Sequence, residues 1–510
     1  MLFEQRKWYL LLLFQFFILA GYAGGNKKPN ILFIMSDDHT SQAWGIYGGI
    51  LADYVKNDRI KWLSEHGVVL ENAFCTNSIC VPSRAAIMTG QYSHRNGVYD
   101  LGGALPPDSL NYARLLRESG YQTALIGKWH LKKEPSGFDH YMVLPGQGAY
   151  RDPVLQTKQD WKDNERGGKV YKGFSTDVIT DQSIAWLKNL NADRPFYLSV
   201  HFKATHEPFD YAERYKDLLE GIEIPYPDNL GDTGAATTGR THDGWPLDLL
   251  GKRYVQSAAF YPGSPVSLDG LSAADTRKKV YQKFIKDYIR CAAGINDNIG
   301  RLIDYLRESG QLDNTVIIYT SDQGYFLGEH GFFDKRFIYE PSMRMPFVIY
   351  YPRELKGGRR NKDIILNIDF PSLFLDYAGA KQPASMQGRS FRANLSGKTP
   401  PDWRKDLYYR YWANEPRRPA HFGIRTDRYK LALFYGQDRT HATRDSMPYP
   451  PGWEFYDLAK DPGENHNAIH DPEYRAVIAR LKKRLKTIKA TSGDARETNP
   501  IINEILEKSW

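Results

Sequence analysis

The chain has 510 residues, 41% hydrophobic and 25% charged. This length exceeds what one hydrophobic core usually organises, and the balance excludes a mainly disordered chain, a collagen or a long coiled coil. Net charge is +8, from 68 basic and 60 acidic residues with no long basic tract, so nucleic acid is not an expected partner.

At the start, Arg6 and Lys7 precede an apolar run from Trp8 to Tyr22, and small residues follow at Ala23, Gly24 and Gly25. A charged segment, a short apolar segment and a small-residue zone form the pattern of a signal peptide, here residues 1–23. The run is too short to read as a membrane span. The expected location is therefore exported, periplasmic or secreted, with no stable membrane span after cleavage. Export permits disulfides. Three cysteines, Cys75, Cys80 and Cys291, are too few for a disulfide scaffold, and the odd count leaves at least one unpaired or chemically special. Pairing of Cys75 with Cys291 is left open.

Apolar runs that end abruptly in polar residues recur along the chain. Asn30 to Met35 leads into Ser36-Asp37-Asp38, and Thr123 to Ile126 into Gly127-Lys128-Trp129-His130. Phe196 to Phe202 leads into Lys203-Ala204-Thr205-His206, and Thr315 to Thr320 into Ser321-Asp322-Gln323. Met345 to Tyr351 is a further strand. Such runs mark buried parallel strands with a site at their carboxyl ends. Helical patterns lie between them: Asp58 to His66, Asn111 to Ser119, and Thr176 to Leu190 with Ser175 as its N-cap. The longest, Tyr281 to Ser309, carries an apolar face that includes Ile285, Ile289, Ile295, Ile299 and Leu306. Cys291 borders that stripe as a packing residue.

Residues 229–271 lack steady periodicity and read as an insertion, either a substrate-facing loop or a disordered excursion. A polar stretch from Ser396 to Pro401 separates a first domain, 24–397, from a second, 398–510. In the second, Leu407 to Trp412, His421 to Arg425 and Tyr429 to Tyr435 read as strands and Pro472 to Lys489 as a helix. The expected fold class is α/β: a large, mostly parallel sheet flanked by helices, with a small C-terminal α+β subdomain of antiparallel strands and a helix.

The strand ends gather the groups that metal-assisted hydrolysis needs. Asp37, Asp38 and Asp322 are carboxylates, and Gln323 adds an amide oxygen. Oxygen donors of this kind suit one hard divalent cation, Ca²⁺ ahead of Mg²⁺, rather than Zn²⁺.

The sharpest motif is Cys80-Val81-Pro82-Ser83-Arg84 with a trailing Thr89-Gly90. It resembles the signature of the formylglycine-dependent sulfatases of the alkaline phosphatase superfamily. Gly127-Lys128-Trp129-His130, Lys203-Ala204-Thr205-His206-Glu207-Pro208, Ser321-Asp322-Gln323-Gly324 with the distal Lys335, and Arg425 to Leu431 follow in that family's order. The resemblance implies the alkaline phosphatase-like sulfatase fold, with 24–397 as catalytic domain. It implies that Cys80 is oxidised to formylglycine (3-oxoalanine) by a formylglycine-generating enzyme, a maturation partner. Asp37, Asp38, Cys80 in its modified form, Asp322 and Gln323 become the metal ligands, Gln323 standing where the family more often has Asn. Arg84 and Lys128 would hold the formylglycine hydroxyl and nearby charge. His130 would act as base for sulfate release, and His206 and Lys335 would contact the sulfate, with His206 favoured as proton donor.

His39 is either a supporting or a substrate-facing residue. His201 reads as structural, Lys203 and His330 as supporting, and His421 and Arg425 as candidates to line the pocket from above. The expected substrate is a sulfated carbohydrate, a polysaccharide or its oligosaccharides, such as ulvan, carrageenan or glycosaminoglycan. A phosphate or phosphonate monoester hydrolase of the same superfamily is the alternative. A non-catalytic sugar-binding relative has no need of the whole set Cys80, Arg84, Lys128, His130 and Lys335.

Overall fold

Strands that are apolar on both faces must lie between two covering layers. The computed structural model describes residues 27–162, 166–232, 246–415, 417–440 and 450–510, so the expected signal peptide lies outside them. Its main sheet contains Asn30–Ser36 (β1), Val68–Leu70 (β2), Gln122–Lys128 (β3), His140–Leu144 (β4), Phe196–His201 (β5), Thr315–Ser321 (β6), Phe347–Tyr350 (β7) and Arg359–Asn361 (β8). Their order is β8-β2-β7-β6-β1-β5-β3-β4. All are parallel except β7, which runs against both of its neighbours.

The helices are Asp58–His66 (α1), Cys80–Thr89 (α2), Tyr112–Glu118 (α3), Ser175–Lys188 (α4), Leu247–Gln256 (α5), Ala273–Glu308 (α6), Phe370–Ala378 (α7), Arg475–Thr491 (α8) and Pro500–Ser509 (α9). Period-two alternation divides the core between them. Along β1, Ile31, Phe33 and Met35 pack with α2, α3 and α7. Leu32 and Ile34 pack on the other face, with α1, α4 and α6. The β6 residues divide the same way, Val316 and Ile318 to one side, Ile317 and Tyr319 to the other.

The C-terminal strands Asp406–Tyr411 (β9), His421–Thr426 (β10), Tyr429–Phe434 (β11) and Gly452–Asp457 (β12) form a separate antiparallel sheet in that order. One face holds Phe422, Ile424, Leu431 and Leu433 against Leu481 and Leu485 of α8 and Ile502 of α9. The other face gives Tyr409, Tyr411, Ala432 and Phe434 to the core of the main sheet. Among the described residues, no helix is long and apolar enough to cross a membrane.

Several expectations are corrected. Ser175 is not an N-cap but the first residue of α4, after the extended Phe174. Helix α6 begins two turns before the apolar stripe because the Ser272 side chain accepts the Asp275 N–H. The described part of the insertion is neither loop nor disordered throughout. It contains α5, whose Leu247, Leu250 and Tyr254 are buried with Val280, Tyr281 and Phe284 of α6. Ten residues are too few for that stripe to stand out from the surrounding Gly, Pro and Asp.

The C-terminal tail is locked by a buried ion cluster. Arg410 on β9 is 2% exposed, stacks on Trp412 at 3.6 Å, and donates to Asp494 at 2.7 Å and to both Glu497 oxygens at 2.8 Å. Burial would raise the Glu497 carboxyl, but Arg410 and Lys489 outweigh it and hold the group at about 2. A carboxyl depressed by folding contributes stability above its ordinary value of 4.5, and that contribution is lost as pH falls toward 2. Denaturant titration should therefore show Glu497→Gln losing the wild type's stability decline between these pH values. Arg410→Ala, which leaves buried carboxylates unpaired, should cost about 3–5 kcal/mol.

Candidate active site

The register of β1 on β6 places Ser36 opposite Ser321, so Asp37 and Asp322 leave the sheet side by side. The backbone N–H of Asp38 donates to Asp322 Oδ1 at 3.2 Å. The loop after β5 is tied to the same point: Asp37 N donates to Ala204 O at 3.0 Å, and Thr205 N to Asp37 O at 2.6 Å. One oxygen from each of Asp37, Asp38 and Asp322 lies within 4.8 Å of the others, and all three residues are buried.

Helix α2 brings Cys80 to this cluster, and its sequence explains how. Pro82 falls in the first turn, where a missing N–H costs nothing. Cys80 and Arg84 are four residues apart and so share a helix face. Ser83 Oγ donates to the Asp322 backbone carbonyl, fixing the helix start against the end of β6. Gly90 ends the helix in the left-handed region at φ +66°, where its N–H bonds Ala86 O. Cys80 Sγ then lies 3.5 Å from Asp37 Oδ1, and the Gln323 Nε2 lies 3.9 Å from Cys80 Sγ. Gly127, at φ +112°, lets β3 pass the carbonyl of His201, with which a Cβ would collide, so that Lys128 reaches the same point.

Three cations grip the three carboxylates. Arg84 Nε donates to Asp322 Oδ2 at 2.9 Å, and its Nη1 to Lys128 O at 2.7 Å. Lys128 Nζ pairs with Asp37. Lys335 Nζ donates to Asp38 Oδ1 and Oδ2 at 2.6 and 2.5 Å. Burial acts against every charge here. It would raise Asp37, but Lys128, His206 and Arg84 keep that carboxyl well below its usual range. Burial pushes Asp38 up to about 6 against the pull of Lys335, and burial with the Asp37 charge pushes Asp322 up to about 7. Burial and the same carboxylates push the Cys80 thiol up, so it is a poor thiolate.

The two histidines complete the cluster. His206 Nε2 is 3.8 Å from Asp38 Oδ2. His206 Nδ1 lies 2.8 Å from the carbonyl oxygen of Glu207, which can only accept, so Nδ1 carries the proton. His130 is buried with Nδ1 unpartnered. Burial and Lys128 lower it to about 2, with Asp37, Arg84 and Lys335 as its other charged neighbours. Asp38, His130 and Asp334 all have φ between +60° and +80°, a region that non-glycine residues occupy uncommonly.

All ten sequence-predicted residues thus converge. Arg84, Lys128 and Lys335 each rest on a carboxylate, Asp322, Asp37 and Asp38 respectively. Gln323 presents its amide nitrogen to Asp38, leaving Oε1 buried without a partner. Of the two readings of His39, the structure is consistent with the supporting one: it packs on Trp44 and is hydrogen-bonded to Tyr319 OH. His421 and Arg425 do not line the pocket. His421 accepts the Ile338 N–H at 3.1 Å, and Arg425 is paired with Glu340 at 3.1 Å. His201 bonds Lys128 O and Ser199 Oγ inside the sheet. Cys75 and Cys291 are free thiols in core clusters on opposite faces of the sheet.

Sequence inspection missed the charged wall beside Lys335. Arg336 and Arg418 both donate to Asp334 Oδ2, at 2.8 and 3.2 Å. Against burial, these arginines and Lys335 hold Asp334 at about 2. The run Asp334-Lys335-Arg336 carried that signal. Exposed Gln147, which accepts from Lys128 Nζ, had none.

The residues present fit a hard divalent cation. The donor set is all oxygen: three buried carboxylates and Gln323, whose orphaned Oε1 a half-turn of the amide would direct at Asp38 and its neighbours.

Comparison with known proteins agrees with this geometry. The sulfatase family model matches residues 29–380, and the N-sulphoglucosamine sulphohydrolase C-terminal model matches residues 328–491. An N-acetylglucosamine-6-O-sulfatase of Bacteroides thetaiotaomicron is 38% identical over 517 residues, covering 92% of this chain and 89% of that protein. A protein solved in complex with its substrate D-glucosamine-2-N,6-O-disulfate superposes with a TM-score of 0.83 at 34% identity, over 92% of this chain and 99% of the other. A phosphonate monoester hydrolase from Silicibacter pomeroyi superposes at 0.69, over 91% and 96% of the two chains, and at 23% identity shares the fold. The chain belongs to the sulfatase family of the alkaline phosphatase superfamily and is a sulfuric ester hydrolase.

Proposed function

We propose that the protein is an exported sulfatase that removes the 6-O-sulfate from glucosamine units of glycosaminoglycan-type sugars. The observation that carries the chemistry is Cys80, 3.5 Å from Asp37 inside a cluster of three carboxylates and three cations. The substrate rests on the B. thetaiotaomicron 6-O-sulfatase and on the disulfated glucosamine bound by the structural relative.

Asp37, Asp38, Asp322 and Gln323 would hold one divalent cation, Ca²⁺ ahead of Mg²⁺, together with residue 80. That cation supplies charge neutralisation and Lewis-acid polarisation at the sulfate oxygens. Oxidation of Cys80 to formylglycine, by a formylglycine-generating enzyme, supplies a hydrated aldehyde with two hydroxyls where an unmodified side chain offers one nucleophilic atom. Arg84 and Lys128 hold Asp322 and Asp37 in place. Lys335, fixed at Asp38, is a cation for the sulfate group. The Glu207 carbonyl holds His206 Nδ1–H, so Nε2 is the free ring nitrogen; in the imidazolium form Nε2–H passes its proton to the departing sugar oxygen, leaving the neutral ring with its proton on Nδ1. His130, with a free ring nitrogen, is the base for sulfate release.

The test is enzyme co-expressed with a formylglycine-generating enzyme and assayed on N-acetylglucosamine 6-O-sulfate by ion chromatography. Sulfate release should exceed phosphate release from the matching 6-phosphate by roughly 10³-fold or more. Equal or faster phosphate release would establish the phosphomonoester alternative instead.

Cys80→Ala should lower sulfate release at least about 10³-fold while leaving the melting temperature within about 2 °C of wild type. A near-native rate would rule out residue 80 as nucleophile.

Chelation by EDTA should abolish turnover and lower the melting temperature, since an ion bound only by the folded state stabilises it. Ca²⁺ should restore both more fully than Mg²⁺ at equal concentration. Full activity and an unchanged melting temperature after chelation would count against the cation site.

A further inference from the structure

The insertion is wired to the two groups that face the substrate oxygens. Helix α5 is anchored on α6 through Leu247, Leu250 and Tyr254. Its next face carries Arg253, whose Nη1 donates to both oxygens of Glu207 at 2.9 and 3.1 Å. Tyr261, packed edge-on against Tyr254 at 4.9 Å, donates its hydroxyl to the same Glu207 carboxylate. Glu207 is the residue whose backbone carbonyl holds His206 Nδ1 at 2.8 Å. On its other side, Arg253 lies 5.4 Å from the ring of Phe333, two residues before Lys335. A backbone bridge from Pro246 to Phe332 ties the start of α5 to that same loop.

The Arg253 and Glu207 side chains are 28% and 18% exposed, a partly buried pair that also contributes to folding. A histidine held by its own neighbour's carbonyl, however, points wherever that peptide unit points. The His206 backbone is fixed too: its carbonyl accepts from Tyr150 OH at 2.6 Å. That bond fixes the peptide before Glu207, and the grip on the Glu207 side chain fixes the one after it.

We propose that Arg253 and Tyr261 are positioning residues, which clamp Glu207 and thereby set the direction in which His206 Nε2 points. The inference rests on the sulfatase reading, with His206 as proton donor to the leaving oxygen. It gives the insertion a task in the reaction, distinct from lining a pocket. The consequence is selective. A sugar alkoxide is a poor leaving group and needs the proton as the S–O bond breaks, whereas an activated phenolate such as 4-nitrocatecholate leaves without one. Misdirecting the donor therefore slows the first substrate and spares the second.

The experiment uses formylglycine-converted full-length enzyme with two substrates, N-acetylglucosamine 6-O-sulfate and 4-nitrocatechol sulfate. Arg253→Met should lower kcat on the sugar sulfate by about 10–100-fold with KM changed less than about threefold, and lower kcat on the aryl sulfate by under about threefold. Arg253→Lys should recover part of the loss, since it restores charge without the two-pronged geometry. Tyr261→Phe, which removes one hydroxyl, should show the same selectivity at smaller size and covers the case in which Arg253→Met folds poorly. A crystal structure of either variant should show the His206 ring turned from its wild-type position. Loss of equal size on both substrates, or no loss on the sugar sulfate, would overturn the positioning role. A wild-type enzyme inactive on both substrates would instead overturn the sulfatase reading on which it rests.

Discussion

Three carboxylates buried within a few ångström of one another are the constraint around which this site is arranged. Burial alone would force protons onto them, and like charges cannot share such a space uncompensated. The fold answers with Arg84, Lys128 and Lys335, each from a different segment and each paired with a different carboxylate. The imbalance that remains is visible in Asp38 and Asp322, both pushed up despite their partners. With Gln323, these carboxylates make an all-oxygen donor set of the kind that suits a hard cation.

The rest of the structure delivers these groups to one point. Parallel pairing of β1 with β6 sets two acidic strand ends side by side, and β5 and β3 add the loops of His206 and Lys128. Helix α2 approaches from the layer that also carries α7, with Arg84 one turn behind Cys80. Lys335 comes from the irregular segment between β6 and β7, and the C-terminal sheet packs behind it through Tyr411 on Arg336 and His421 on Ile338. The small sheet therefore acts as a brace for the Lys335 loop, which explains why its Arg425 and His421 are turned inward.

How much of this was legible in the sequence follows from the range of the interactions involved. Strand runs such as Ile31 to Met35 were readable because both faces are buried, and the signal is continuous over several residues. The Cys80 segment was readable because Cys80-Val81-Pro82-Ser83-Arg84 with Thr89-Gly90 resembles a family signature, not because of any periodic pattern. Strand β4, the brief β2 and β8, and the last strand β12 went unassigned because three to six residues carry too little pattern. The Arg253–Glu207–Tyr261 cluster was invisible for another reason. Its members are 46 and 54 residues from Glu207, and nothing local demands a charge or a hydroxyl at either place. His421 was misjudged because a buried imidazole and a pocket imidazole look alike in sequence.

Every residue of α2 is buried. Ser83 is held by Asp322 and Asn367, and Ser78, just ahead of the helix, by Ser342 and Tyr409. These closing contacts come from chain synthesised at least 242 residues after Cys80. At roughly 5–20 residues per second, the ribosome needs on the order of 10–50 s to produce the first of them. Cys80, 1% exposed once these contacts form, is open to chemistry from outside only before they close over it, and any change that hastens closure shortens that window.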